Sequence, residues 1–159
     1  MDLGIKGKVA LVTGGSRGLG RQSALALAAE GVNVAICARG EGILNQTADE
    51  LKSTGVKVGA FVADLGDESG AADLVAKTEA ELGPIDILVN NVGGSLGTSD
   101  LVNSSLADFH MVMDANLWSA VALMKHVVPG MQERGWGRVV NISSILGREY
   151  GGTAPYMVA

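Results

Sequence analysis

Five short apolar runs alternate with amphipathic segments along this chain. The runs cover 8–13, 32–38, 56–62, 85–91 and 137–143, and their β-branched and aliphatic residues suit strands buried on both faces. After the first run, Gly20, Ala24, Leu27, Ala28 and Gly31 recur at helical spacing and offer a face of small residues that can lie close to a sheet. Leu44, Thr47, Ala48 and Leu51 form the inner face of a second helix that stops at Gly55. A third helix opens with the acidic pair Asp67 and Glu68, carries Ala71, Leu74, Val75, Thr78 and Leu82 inward, and ends at Gly83-Pro84. This alternation predicts an α/β fold: a doubly wound parallel sheet with helices on both faces, built as a single domain over 1–159.

The fourth helical segment is longer and more apolar. A capping box, Ser105-Leu-Ala-Asp108, marks its start, and Pro129-Gly130 is expected to break it after about Val128. Met111, Met113, Leu117, Val121, Leu123 and Met124 leave little purely polar face. Two readings of that breadth stay open: a wide face on the molecule's own core, or a surface shared with another subunit.

Composition narrows the function classes. Among 159 residues there are 23 Gly and 3 Pro, the apolar share is 47%, and the net charge is −5, as in a globular α/β chain. Without a cluster of Lys and Arg, neither nucleic acid nor an anionic membrane surface is an expected partner. Charged or glycine residues interrupt every long apolar run, and Met1-Asp-Leu-Gly-Ile-Lys6 does not read as a signal peptide, so a cytoplasmic location is expected. The single cysteine, Cys37, lies within an apolar run and reads as a core residue. His110 and His126 form no ligand-spaced cluster with it, and no metal site is expected.

The richest signal is Thr13-Gly14-Gly15-Ser16-Arg17-Gly18-Leu19-Gly20, placed between the first strand and the first helix. Glycines let such a turn fold tightly and approach a diphosphate without a Cβ in the way, while free N–H groups at the helix start attract its negative charge. The octet lacks the Gly-Lys-Ser/Thr ending of a P-loop. The other strands also end in polar residues: Arg39 after the second, Asp64 and Leu65 after the third, Asn90-Asn91-Val92-Gly93 after the fourth, and Asn141-Ile142-Ser143-Ser144 after the fifth. In open α/β sheets these strand ends form the ligand edge.

Together these segments resemble the short-chain dehydrogenase/reductase family, in the right order and over the whole chain, with 3-oxoacyl reductases among the nearer relatives by general appearance. Thr13 to Gly20 is similar to the family's T-G-x-x-x-G-x-G cofactor turn, and Asn90 to Gly93 to its N-N-A-G segment, with Val92 in place of the usual Ala. The resemblance implies a Rossmann-type fold and a nicotinamide dinucleotide held by Gly14, Ser16, Arg17, Gly18, Leu19, Gly20, Asp64, Leu65, Asn91 and Gly93. It also implies active-site roles for Asn116 in Asn116-Leu-Trp, for Ser144 and for Tyr156. Ser144 aligns best by motif, with Ser143 the alternative.

An acidic residue after the second strand would suit the ribose hydroxyl of NAD, whereas Arg39, helped by Arg17, suits the 2′-phosphate of NADP. NADP is therefore the expected cofactor and NAD the weaker ligand. The reaction implied is hydride transfer between nicotinamide and a small carbonyl or secondary alcohol, with Tyr156 as proton donor and Ser144 bonding the reacting oxygen. An ordinary phenol titrates at about pH 10, and in the family a Lys four residues after the Tyr supplies the cation that favours the phenolate. That position would directly follow Ala159. Two expectations follow: a longer protein that adds the family's C-terminal strands and substrate segment and assembles as a homo-oligomer (dimer or tetramer), or a non-catalytic dinucleotide-binding fragment or regulatory module. The 159 residues alone are expected to turn over slowly.

Overall fold

The computed structural model describes residues 2–66 and 68–159. Asp67, expected at the start of the third helix, lies outside them. Five parallel strands, β1 (Val9–Thr13), β2 (Asn33–Ala38), β3 (Val58–Val62), β4 (Ile87–Asn90) and β5 (Arg138–Asn141), form one sheet in the order β3-β2-β1-β4-β5. Strand order reverses at β1, so the crevice between the ends of β1 and β4 is the topological switch point at which such sheets bind ligands.

Strand alternation sorts the core into two layers. Ala10, Val12, Val34 and Ile36 face the small-residue side of α1 (Gly18–Ala29) and the inner face of α2 (Glu41–Lys52), where Ala24, Ala28, Leu44 and Leu51 are buried. Leu11, Ala35, Cys37 and Leu88 face the other way, against Leu74 of α3 (Glu68–Leu82) and Leu123 and Val127 of a later helix. Cys37 is thus a core residue, and burial pushes its thiol up to about 11, opposed in part by a hydrogen bond from the Gly14 backbone.

The long apolar segment is helical in three stretches: α4 (Leu106–Met113), a π-helical turn (Asp114–Trp118) and α5 (Ser119–Glu133). The expected box is present, with the Asp108 amide donating to Ser105 Oγ at 3.2 Å and the Ser105 amide donating to the Asp108 carboxylate at 2.7 Å. The expected break at Pro129-Gly130 is not: α5 continues to Glu133 with Pro129 inside it. An interior Pro costs about 3 kcal/mol, but Leu123, Val127 and Met131, spaced by four, are buried on one face across it. Just beyond, the Arg134 guanidinium donates to the Ile85 carbonyl at 2.7 Å and fastens the helix end to the sheet's lower edge. Trp118 is 54% exposed, whereas the Lys8 ammonium and the Arg138 guanidinium lie over the Trp136 ring at 4.4 and 4.8 Å from its centre. A short final helix, α6 (Ala154–Val158), starts two residues before Tyr156, with Pro155 in its first turn.

Candidate active site

The glycine turn is built from beneath by threonine and asparagine. Thr13 Oγ1 accepts from the amides of Asn91 (2.9 Å) and Val92 (3.1 Å), locking the end of β1 to the loop after β4. Asn91 Nδ2 donates to the Thr13 carbonyl at 3.0 Å and to the Gly14 carbonyl at 3.4 Å. From the far side, Thr47 of α2 donates its hydroxyl to the Ser16 carbonyl at 2.9 Å. Asn91 therefore positions the turn with its amide group. Thr13 opens the glycine motif in sequence, but its bonds to the loop after β4, and that of Thr47 to Ser16, come to light only from the pairing of their elements.

That turn leaves a cradle for an anion. Gly14 and Gly18 adopt φ of +63° and +55°, a region that favours glycine. A Cβ on Gly18 would meet nothing within 4 Å, while one on Gly20 would strike the Gly14 carbonyl. Arg17, the residue before α1, provides no side-chain cap, and no acidic residue occupies the helix's first turn. The first amides of α1 are thus available to a diphosphate, and the residues present fit a dinucleotide at this edge. Leu19, 68% exposed beside the cradle, presents an apolar surface for such a ligand to cover.

Around the cradle, Arg39 follows β2 directly, and β2 pairs with β1 in a register that sets Cys37 opposite Thr13. Arg17 and Arg39 are exposed and have no ion-pair partner among the described residues. Asp64, exposed at the end of β3, accepts from the Gly66 amide at 3.1 Å. Leu65, expected at the cofactor, has its side chain in the core.

Across the switch point lies a cleft of about 520 Å³. Its floor includes Gly94, held on both backbone groups by Asn116, whose Oδ1 accepts from the Gly94 amide (2.9 Å) and whose Nδ2 donates to the Gly94 carbonyl (3.0 Å). Nδ2 also donates to the Val112 carbonyl at 2.8 Å. The π-helical turn places Asn116 there, and Gly93 is required because a Cβ would strike Asn116 Oδ1. One wall holds Leu146 and the half-buried Tyr156. Ser144 stands two residues before Leu146 and accepts from its amide at 3.2 Å, which leaves the serine proton free to donate. Ser143 is exposed, whereas Ser144 is half-buried. The structure thus gathers Asn116 and Tyr156 around one cleft, with Ser144 next to its wall and the glycine turn across β1 and β4.

Among the described residues, no cluster of three His, Cys, Asp or Glu side chains has the geometry of a metal site, and no helix is long and apolar enough to cross a membrane.

Comparison with known proteins places this arrangement. The chain is 39% identical over 145 residues to the ketoacyl reductase HetN of Nostoc sp., covering 91% of this chain and 50% of that protein. It is 36% identical over 143 residues to a 2-dehydro-3-deoxy-D-gluconate 5-dehydrogenase of Formosa agariphila, covering 89% and 54%. The chain spans about half the length of these curated relatives. Among solved structures, 7 alpha-hydroxysteroid dehydrogenase complexed with NADH and 7-oxo glycochenodeoxycholic acid superposes with a TM-score of 0.91 at 28% identity, covering 97% of this chain and 60% of that one. NAD+-bound xylitol dehydrogenase superposes with a TM-score of 0.90 at 29% identity, again covering 97% and 60%. The family pattern described as short chain dehydrogenase matches residues 8–158, and the chain belongs to that family of oxidoreductases.

Proposed function

We propose that this chain is the cofactor-binding part of an NADP-preferring oxidoreductase that interconverts a carbonyl and a secondary alcohol. The observation that carries the reading is the shared edge. An uncapped helix start and two unpaired arginines stand on one side of the switch point, and a phenol and a serine hydroxyl on the other. A nicotinamide dinucleotide held at this edge would supply the hydride.

The chain's own residues do the rest. The first-turn amides of α1 hold the diphosphate, and Arg39 with Arg17 neutralises the 2′-phosphate. Ser144, its acceptor side occupied by the Leu146 amide, donates to the substrate oxygen, and Tyr156 transfers its proton to that oxygen as negative charge develops. Asn116 acts through Gly94, fixing the backbone under the substrate. In reduction, the carbonyl carbon gains hydride and the oxygen gains the phenolic proton, which solvent then replaces. A single buried thiol fits the reducing cytoplasm, and exposed Leu106, Met111 and Trp118 on the long helix fit a subunit contact in a homo-oligomer.

Two substitutions in the protein isolated from its own cells test this. Tyr156→Phe should lower turnover by about 10²–10⁴-fold, the usual contribution of a general acid, with dinucleotide affinity unchanged. Arg39→Ala should reduce the preference for NADP over NAD by about tenfold or more, since a charge-assisted contact contributes about 1.5–3 kcal/mol. An unchanged NADP/NAD ratio would remove the cofactor assignment, and full activity of Tyr156→Phe would remove the mechanism.

A further inference from the structure

The loop after β4 reaches the helix that carries Tyr156, and it does so through a strained turn. The Thr98 amide donates to the Ser95 carbonyl at 3.0 Å, closing a four-residue turn whose central pair, Leu96 and Gly97, have φ of +53° and +77°. Turns with positive φ at both central positions favour Asn or Asp followed by Gly. Leu96 is the one non-glycine residue with positive φ among the described residues, in a region where its Cβ crowds the following carbonyl oxygen. Such strain persists only where the surrounding structure holds it.

What holds this turn is a pair of half-buried threonines. The Thr98 hydroxyl donates to the Ser95 carbonyl at 2.7 Å and lies 3.0 Å from the Thr153 hydroxyl. Each hydroxyl has a single proton to give. With that of Thr98 spent on the carbonyl, the proton between the two threonines comes from Thr153. Thr153 is the N-cap residue of α6 and has the extended backbone of a cap, yet its side chain makes no bond to the helix it starts. Its hydroxyl serves the loop instead. The first amide of α6, that of Ala154, also donates to this loop, at the Ser99 carbonyl, 2.9 Å away. The chain enters α6 through Gly151-Gly152, with Gly151 at φ +136°, so the approach itself adds little stiffness. The loop is thus anchored at both ends, by Asn116 on Gly94 and by Thr98 on the start of α6.

We infer that Thr98 is a positioning residue for Tyr156: presented by the strained Leu96-Gly97 turn, its hydroxyl accepts from Thr153 and fixes the first turn of α6, so that the phenol stands at the reacting oxygen. The inference rests on the redox reading above. A general acid works only from hydrogen-bond reach of its target, and an error of about 1 Å in placement costs up to about 100-fold. With its proton given to Ser95 and its oxygen accepting from Thr153, Thr98 acts on turnover through Tyr156.

The experiment uses the protein isolated from its own cells, as wild type, Thr98→Val, Thr98→Ser, Thr153→Val, Tyr156→Phe and the double variant Thr98→Val/Tyr156→Phe. NADPH-dependent reduction is measured on cyclohexanone, 2-decanone, ethyl acetoacetate and xylulose, and the fastest of them is carried through the series. Thr98→Val should lower kcat about tenfold, with KM for the ketone and dinucleotide affinity within about twofold of wild type, as for an interaction that serves only the transition state. Thr153→Val should match it, and Thr98→Ser, which keeps the hydroxyl, should restore the wild-type kcat. In the Tyr156→Phe background, Thr98→Val should cost no more than about twofold further, because both changes act on one group. As a readout independent of turnover, amide hydrogen exchange over 152–158 in the cofactor-free protein should speed up in Thr98→Val and return to the wild-type rate in Thr98→Ser. Unchanged kcat in Thr98→Val, unchanged exchange, or an undiminished loss in the Tyr156→Phe background would each overturn the positioning role while leaving the redox reading intact. Absence of hydride transfer to every carbonyl tested would overturn both.

Discussion

Among the described residues, the two sides of the sheet's switch point differ in how well they are covered. On the glycine-turn side, every residue of β1 and β4 is buried and four of the six residues of β2 are. On the other side, every residue of β5 is exposed, with Val139 at 37% and Val140 at 45%. Both sides consist of parallel strands, which normally have helices on both faces and read as continuous apolar runs. The glycine turn is stitched to β2, α2 and the loop after β4, whereas β5 pairs with β4 alone and carries two valines that nothing covers among the described residues.

The sharpest way to break this contrast is to place one methyl group on each side. Gly20→Ala puts a Cβ against the Gly14 carbonyl and the Asn91 side chain, neither of which can move without disturbing the Thr13–Asn91 lock. Overpacking of this kind costs about 1–3 kcal/mol, and because the turn itself must shift, dinucleotide affinity should fall about 100-fold. Gly147→Ala, on the β5 side, would meet nothing within 4 Å and has no positive φ, so stability should change by less than about 0.5 kcal/mol. Calorimetric titration with NADP and chemical unfolding of both variants measure the difference. Equal effects would mean that the glycine-turn side is no more tightly packed than the other.

The closed side also has a pH signature. Burial raises the Cys37 thiol from 9.0 to about 11, so between those values the unfolded chain loses a proton that the folded chain keeps. The stabilising contribution is complete below pH 9 and lost as pH rises through 11. At about 1.4 kcal/mol per unit, the shift corresponds to on the order of 2–3 kcal/mol. Urea unfolding between pH 8 and 11 should show this decline, and Cys37→Ala should make it shallower. An identical slope in the variant would show that the thiol is open to solvent.

Much of this division is legible in the amino-acid sequence. Glycines at 14, 18 and 20 announce their function locally, because a positive φ and a close backbone approach belong to the turn itself. Strand–helix alternation carries the topology, since each apolar run sits between helices of matching period. What escapes a sequence reading depends on partners far along the chain. Thr13 bonds a loop 78 residues away, and Thr47 reaches Ser16 across 31 residues. Pro129 is a strong local stop signal that the continuous buried face of α5 overrides. Val139 and Val140 look in sequence like the residues of any buried strand, and only the sheet order places β5 last among the described strands. For the candidate site, motif resemblance points to Asn116, Ser144 and Tyr156, while the use of Asn116 to grip both backbone groups of Gly94 comes from the π-helical turn, which no spacing rule signals.

The smallest effect expected is at Val140, one of those two valines, set against Val12 in the central strand β1. Val12→Thr buries a hydroxyl in the middle of β1, where the residue is fully shielded, and should cost about 1–3 kcal/mol for the unsatisfied group. Val140→Thr keeps the β-branched shape at a position 45% exposed, so water can satisfy the hydroxyl and the cost should stay below about 0.5 kcal/mol. Equilibrium unfolding in urea gives both values from the shift in midpoint at constant slope. Run first on the 159 residues and then on the protein from its own cells, the pair of measurements locates what covers β5. A Val140→Thr cost that stays small in the first and rises toward that of Val12→Thr in the second would mean that β5 is closed by chain or subunit outside residues 1–159. A small cost in both would leave β5 a true open edge, and a large cost in both would show that the exposure described for β5 is not that of the folded molecule.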